Sequence, residues 1–266
     1  MKKGIIILIV VVLLLCAIAT VGGSAIWYFF LRNTPQKAFD KAVANLDEAD
    51  YYQQEYEGTI DARVTLPDYP EYDVDMEMEV SGEAKVDNKN NKKYLKSIGI
   101  SEGSSQTTEY YWIEDDVYMR LGSGSFEKLT EEEASNLNTG SGTTEYAYLS
   151  GKDNYTILEE EEIDGVNCYH YNVPLDDEDL SDFIDNFMST FEDSNVTVND
   201  VTVSDASLEM WISKDNSFIM KTINKIGNIS TDSVSEGIDM VLIMEDIEID
   251  STFSGWNEEV EIEAPV

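Results

Sequence analysis

The spacing of apolar positions along this chain changes several times, and each change marks an element. After Thr34-Pro35, the residues Ala38, Phe39, Ala42, Val43 and Leu46 recur at helical spacing. Thr34 can cap the first turn, and Pro35 sits where a helix needs no amide donor, so a helix is predicted from 34 to about 49. The period then falls to two. Tyr52, Tyr56, Ile60, Ala62, Val64 and Leu66 share one parity, with Glu55, Glu57, Asp61 and Arg63 on the other. Pro67-Asp68-Tyr69-Pro70 makes a turn. Beyond it Tyr72, Val74, Met76, Met78, Val80, Gly82, Ala84 and Val86 alternate strictly with charged and polar residues. Such alternation describes a long strand with one wet and one dry face, hairpin-paired to the strand before it.

Shorter strands are expected at 93–101, 107–114 and 117–121, followed by a short helix or an irregular excursion over 131–142. A second hairpin, 155–163 with 166–175, turns at Asp164-Gly165. Asp176 to Asp179 then load the first turn of a second helix with negative charge. Leu180, Phe183, Ile184, Phe187, Met188 and Phe191 form its broad apolar stripe. Strands follow at 196–203, 206–213, 217–229, 236–250 and 258–264. Ile238, Met240, Leu242 and Met244 keep one parity, while Ile247 and Ile249 take the other, which places a bulge near Glu245-Asp246.

Ahead of all this lies an uncharged run from Gly4 to Leu31. As a helix it measures roughly 42 Å, more than the ~30 Å of a hydrocarbon core, and it reads as a membrane span. Lys2 and Lys3 place the N-terminus in the cytoplasm, and Trp27 to Phe30 suit the far interface. The expected organisation is a cytoplasmic tail at 1–3, an anchor at 4–31 and a body at 32–266. The chain would then be a single-pass protein of the cell membrane with its body outside the cytoplasm. A cleaved leader ending near Ala17-Ile18-Ala19 is the competing reading, but it would leave the greasy stretch Ala25–Leu31 at the new N-terminus. The expected fold class is α+β. It comprises an N-terminal transmembrane helix and a strongly curved antiparallel half-barrel of about 9–11 strands, with two amphipathic helices on its concave face.

Charge narrows the functional classes. With 54 Asp and Glu against 17 Lys and Arg, the chain carries a net charge of −37, which excludes a nucleic-acid partner. The two cysteines, Cys16 in the apolar run and Cys168 in the body, are not placed to form a disulfide. Cys168 and His170 share a strand face, a spacing that suits a nucleophile with its base or half a metal site. No second histidine exists, so no zinc spacing is completed, and no phosphate-binding or dinucleotide-binding loop is present. The acidic runs at 131–133, 159–162 and 176–179 lack a calcium-loop pattern and read as solvated faces. No cofactor, metal or enzymatic activity is therefore expected.

Two hairpins carry a resemblance. EEIDGVNCYHYNV at 161–173 is a strand, an Asp-Gly turn and a strand of alternating aromatics. ASLEMWISKDNSFIMKTINKI at 206–226 is a strand with Trp-Ile, a Lys-Asp turn and a return strand bearing Lys221. In this order they resemble the LolA-like superfamily, including the LppX/LprG type of bacterial envelope lipoproteins, over roughly residues 34–262. The resemblance implies an open, curved sheet closed by helices over an apolar cavity that holds acyl chains of lipids or lipoproteins. Flexible thioethers suit such a cavity, and its candidate lining is Met76, Met78, Leu180, Phe183, Phe187, Met240 and Met244. The expected function is that of a membrane-anchored extracytoplasmic binding protein. Its partners are the membrane, through the N-terminal helix, and a lipid or acylated protein. The alternative is a non-catalytic surface module with a filled core and protein partners.

Overall fold

The computed structural model describes residues 34–101, 103–130, 133–134, 149, 152–176, 196–235 and 238–265. The first element is helix α1, Pro35–Glu48. The Thr34 hydroxyl accepts the Lys37 amide at 3.4 Å, and Pro35 occupies the first turn, as the sequence predicts. The stripe Ala38, Phe39, Ala42, Val43 and Leu46 is buried. Asn45 fixes the helix to a distant turn, donating to the carbonyls of Asn216 at 3.2 Å and Ser217 at 2.9 Å.

Apart from one 3-10 turn at Pro70–Tyr72, the other regular structure among the described residues is antiparallel sheet. The first meander runs β1 (Tyr51–Thr65), β2 (Val74–Asp87), β3 (Lys92–Ser101), β4 (Ser104–Ile113), β5 (Asp116–Leu121) and β6 (Glu127–Lys128). The second holds β7 (Thr156–Ile157), β8 (Glu161–Ile163), β9 (Val166–Pro174), β10 (Val196–Ser213), β11 (Ile219–Ser235) and β12 (Ile238–Ser254). The order across the sheet is β6-β5-β4-β3-β2-β1-β12-β11-β10-β9-β7, with β8 also on β9. The two meanders therefore fuse where the first long strand meets the last. Very short strands at β6 and β7 blunt the ends of the sheet.

The expected bulge is present. Register shifts opposite Ile60, and Asp246 takes a left-handed φ of 50°. Glycines bend the sheet at its centre. A Cβ on Gly82 would run into the Lys96 carbonyl and lie 2.5 Å from the Tyr56 ring, and one on Gly58 would meet the Glu248 carbonyl. Neighbouring backbone closes in on one face here, so the sheet folds sharply toward that face.

Several expectations are corrected. One α-helix, not two, is complete among the described residues, and it accompanies twelve strands rather than 9–11. The 14 residues of α1 span about 21 Å, too short for a hydrocarbon core. No helix among the described residues is long and apolar enough to cross a membrane. The single-pass placement, with the membrane as partner through an N-terminal helix, is therefore not carried forward. The run 4–31 and the stripe Leu180–Phe191 lie outside the described residues. Strands expected at 196–203 and 206–213 are one strand, β10, kinked at Asp205 (φ 55°) opposite Gly227. The stretch 258–264 is not a strand. It lies as a strap whose Val260 and Ile262 are buried against Tyr51, Tyr94, Tyr111 and Ile113.

Candidate functional site

Strand parity and register divide the sheet into two chemically distinct faces. Tyr52 of β1 stands opposite Val86 of β2, and Ala62 stands opposite Met76 on one side and Met244 on the other. These residues share one face, which is mostly apolar, with Thr222, Asn224, Thr231 and Ser251 among its polar members. Two clusters lie on it. The first joins the stripe of α1 to Tyr52, Val86, Tyr171, Leu208, Met210 and Phe253. The second gathers Ala62, Ile226, Ile229, Met244 and Ile247, with Ile60, Met76, Met78, Val201, Val203 and Leu242 packed against it. It contains no residue of α1. The apolar face thus continues well beyond the helix that covers its first half.

The structure brings together three of the seven predicted cavity residues, Met76, Met78 and Met244. Met240 is half-buried opposite Ser233, whose hydroxyl donates to the Met240 carbonyl at 3.4 Å, and it stands outside both clusters. Leu180, Phe183 and Phe187 lie outside the described residues. Four other members, Ile226, Ile229, Val201 and Val203, escape a reading of single strands. Their common face emerges only once the pairing of β10, β11 and β12 is known.

The opposite face is charged. An open trough of about 590 Å³ lies on it, lined by Glu55, Glu57, Glu83, Lys96, Lys221 and Asp250 among others. Lys221 pairs with Asp250 and lies 5.5 Å from the Trp211 ring centroid. Further along, Lys225 pairs with Glu209 at 2.7 Å. Burial pushes the Glu209 carboxyl up, but Lys225 and His170 together draw it below the usual carboxylate value.

Cys168 and His170 do share this face, yet they form no dyad. His170 stacks on Trp211 at 4.0 Å, its Nε2 lies 2.9 Å from Glu209, and its Nδ1 lies 3.5 Å from Glu161. Trp211 Nε1 donates to the same Glu161 at 2.8 Å. Both ring nitrogens therefore face carboxylates and neither serves the thiol. Cys168 instead donates to the Val166 carbonyl at 3.4 Å, and burial pushes its thiol up to about 11. Between pH 7 and 9 it stays protonated and closed to solvent. Iodoacetamide is accordingly expected to leave Cys168 of the folded chain largely unmodified at pH 8 and to label it fully in denaturant. Peptide mapping reads the result, and comparable labelling in both states would contradict the burial. Among the described residues no group of three or more His, Cys, Asp or Glu is placed to hold a metal ion.

The chain is similar to lipoprotein LppX of Mycobacterium tuberculosis, at 13% identity and a TM-score of 0.44, covering 86% of this chain and 100% of that one. It is similar to LprF of Mycobacterium bovis, at 12% identity and a TM-score of 0.45, covering 88% and 99%. It is also similar to a LolA superfamily protein of Nitrosomonas europaea, at 14% identity and a TM-score of 0.22, covering 83% and 94%. No family model matches the sequence, and no curated protein does. Identities and TM-scores of this size bear on no ligand, which must be argued from the residues of this chain.

Proposed function

We propose that the chain is a non-catalytic binding protein that holds an acyl chain, of a lipid or of an acylated protein, against the apolar face of its sheet. The observation that carries this reading is the second cluster. Ile60, Met76, Met78, Val201, Val203 and Leu242 are only partly buried, contiguous, and reached by no residue of α1. The face also continues outward along β2, where Val74 is 44% exposed and Tyr72 before it 64%. A long run of apolar side chains on one face, with adaptable thioethers among them, fits a flexible hydrocarbon chain better than a ligand of fixed shape. Each methylene moved from water onto it contributes about 0.8 kcal/mol, so affinity is expected to climb with acyl length until the face is filled.

The test is titration of detergent-free protein with a fluorescent fatty acid, followed by displacement with unlabelled acids of increasing length. Saturable binding that strengthens with length is expected. The double substitution Met76→Asp and Met78→Asp is expected to weaken binding by roughly a hundred-fold. Each carboxylate set against hydrocarbon costs more than the ~1.4 kcal/mol that a ten-fold loss represents. Far-UV circular dichroism checks that the variant folds. Absence of binding, or binding indifferent to the two aspartates, would reduce the second cluster to ordinary core.

A further inference from the structure

We propose that Lys93 receives the anionic headgroup, a carboxylate or a phosphate, of an amphiphile whose acyl chain lies along the apolar face. The proposal rests on the acyl-binding reading above and adds the polar end of the ligand to it. Lys93 stands opposite Val86 of β2 and opposite Trp112 of β4. Val86 belongs to the first apolar cluster, so parity puts Lys93 on the apolar face. Its neighbour Lys92 belongs to the other face, where its ammonium donates to the Ile262 carbonyl at 3.2 Å.

The surroundings of Lys93 are unusual for a chain with 54 acidic residues. The same-face positions from Val80 to Val86, from Thr108 to Trp112 and from Val117 to Leu121 contain no Asp or Glu. On the opposite face of the same strands, Arg120 pairs with Glu109. Lys128, Lys214, Lys221 and Lys225 each hold a carboxylate. Lys93 makes no ion pair with a described residue, and burial lowers its ammonium below the usual lysine range, with no carboxylate of the described residues offsetting it. A half-buried ammonium with no counter-ion among the described residues is a cost that a ligand anion removes.

Three features tie this cation to a ligand with an acyl tail. Trp112 and Tyr110 stack beside it with ring centroids 5.4 Å apart, an apolar platform for the methylenes next to a headgroup. The same face of β3 then runs from Lys93 through Leu95, Ser97 and the uncovered Gly99 to Ser101, which stands opposite Met78, about 26 Å of extended strand and well matched to a long acyl chain. The chain as a whole, at a net charge of −37, repels anions. Admitting an anionic amphiphile therefore requires a local cation on the face that takes its tail, and Lys93 is such a cation.

The experiment compares three ligands of one acyl length as competitors of the fluorescent fatty acid: palmitate, palmitoyl lysophosphatidate and neutral monopalmitin. Each is measured on the unmodified chain, on Lys93→Met and on Lys93→Arg. The unmodified chain is expected to bind at least one anionic ligand roughly ten-fold tighter than monopalmitin. Lys93→Met erases that preference while leaving monopalmitin affinity within about two-fold, and Lys93→Arg keeps it. Preference for palmitate identifies a free carboxylate as the headgroup, and preference for lysophosphatidate identifies a phospholipid. Monopalmitin bound with no preference for the anions, or a preference that survives Lys93→Met, overturns the role of Lys93 while the acyl reading stands. Failure of all three to compete overturns both.

Discussion

Gly82→Ala lowers the melting temperature of the chain by about 6–12 °C, whereas Gly99→Ala leaves it unchanged or slightly raised. The two glycines lie on neighbouring strands, β2 and β3, and differ in what a new methyl group meets. At Gly99 nothing lies within 4 Å of the added Cβ. That substitution acts mainly by removing freedom from the unfolded chain, worth about 0.4–1 kcal/mol of stabilisation. At Gly82 the Cβ falls on the Lys96 carbonyl oxygen and 2.5 Å from Tyr56, whose hydroxyl reaches across to the same carbonyl at 3.5 Å. The tyrosine ring can swing away, but the carbonyl is backbone of β3, where Lys96 is paired with Glu83 on one side and Glu109 on the other. Overpacking against backbone sits at the upper end of the usual 1–3 kcal/mol, and each kcal/mol moves the midpoint of a domain this size by about 2–4 °C. Gly58→Ala, which meets the Glu248 carbonyl, is expected to behave like Gly82→Ala. Calorimetry of the three variants decides the matter. A midpoint for Gly82→Ala within 2 °C of the unmodified chain would show that the sheet is not closed as tightly at its centre as these contacts require.

The bend explains why some of this fold is legible in the sequence and some is not. Strict alternation in β2 is visible because one face meets water and the other does not, and the parity switch at Glu245-Asp246 betrays a bulge for the same reason. Alternation reports burial, however, and not hydrogen bonding. Val260 and Ile262 alternate like a strand yet are buried in a strap without a ladder. Asp205 looks like a turn between two strands because an aspartate adopts left-handed φ readily, whereas here it only kinks β10. The pairing of β1 with β12 joins residues at opposite ends of the body, and no local pattern encodes it. The same limit applies to the site. Met76 and Met78 announce themselves by parity, and Met244 by its place before the bulge. Lys93 sits in the polar run Asn88–Lys93 and looks like half of a solvated lysine pair. Only its register against Val86 and Trp112 sets it apart. The second helical stripe, Leu180–Phe191, lies outside the described residues.

The second large effect is expected at Tyr171, the residue through which α1 is held to the sheet. Its side chain is fully buried, and its ring lies 5.3 Å from Phe39 of the helix and 5.5 Å from Tyr155. Its hydroxyl donates at 2.7 Å to the carbonyl of Pro35 in the first helical turn, and burial pushes the phenol well above its usual value. Tyr171→Ala removes the aromatic contacts and this hydrogen bond together, and a loss of about 3–5 kcal/mol is expected. Tyr171→Phe keeps the ring and removes only the donor, so about 1 kcal/mol is expected. Denaturant unfolding measures both, and hydrogen exchange locates the change, because the amides of α1 should lose protection before those of β10 and β11. A loss below 1 kcal/mol in the alanine variant would mean that α1 is held by Ala38, Val43, Leu46 and Asn45 without Tyr171. The pair of variants also separates stability from binding. The helix covers the first apolar cluster and contributes nothing to the second, so Tyr171→Phe is expected to keep the acyl affinity of the unmodified chain within about two-fold. A parallel loss of stability and binding would place the acyl chain under α1 rather than on the methionine-rich face beyond it.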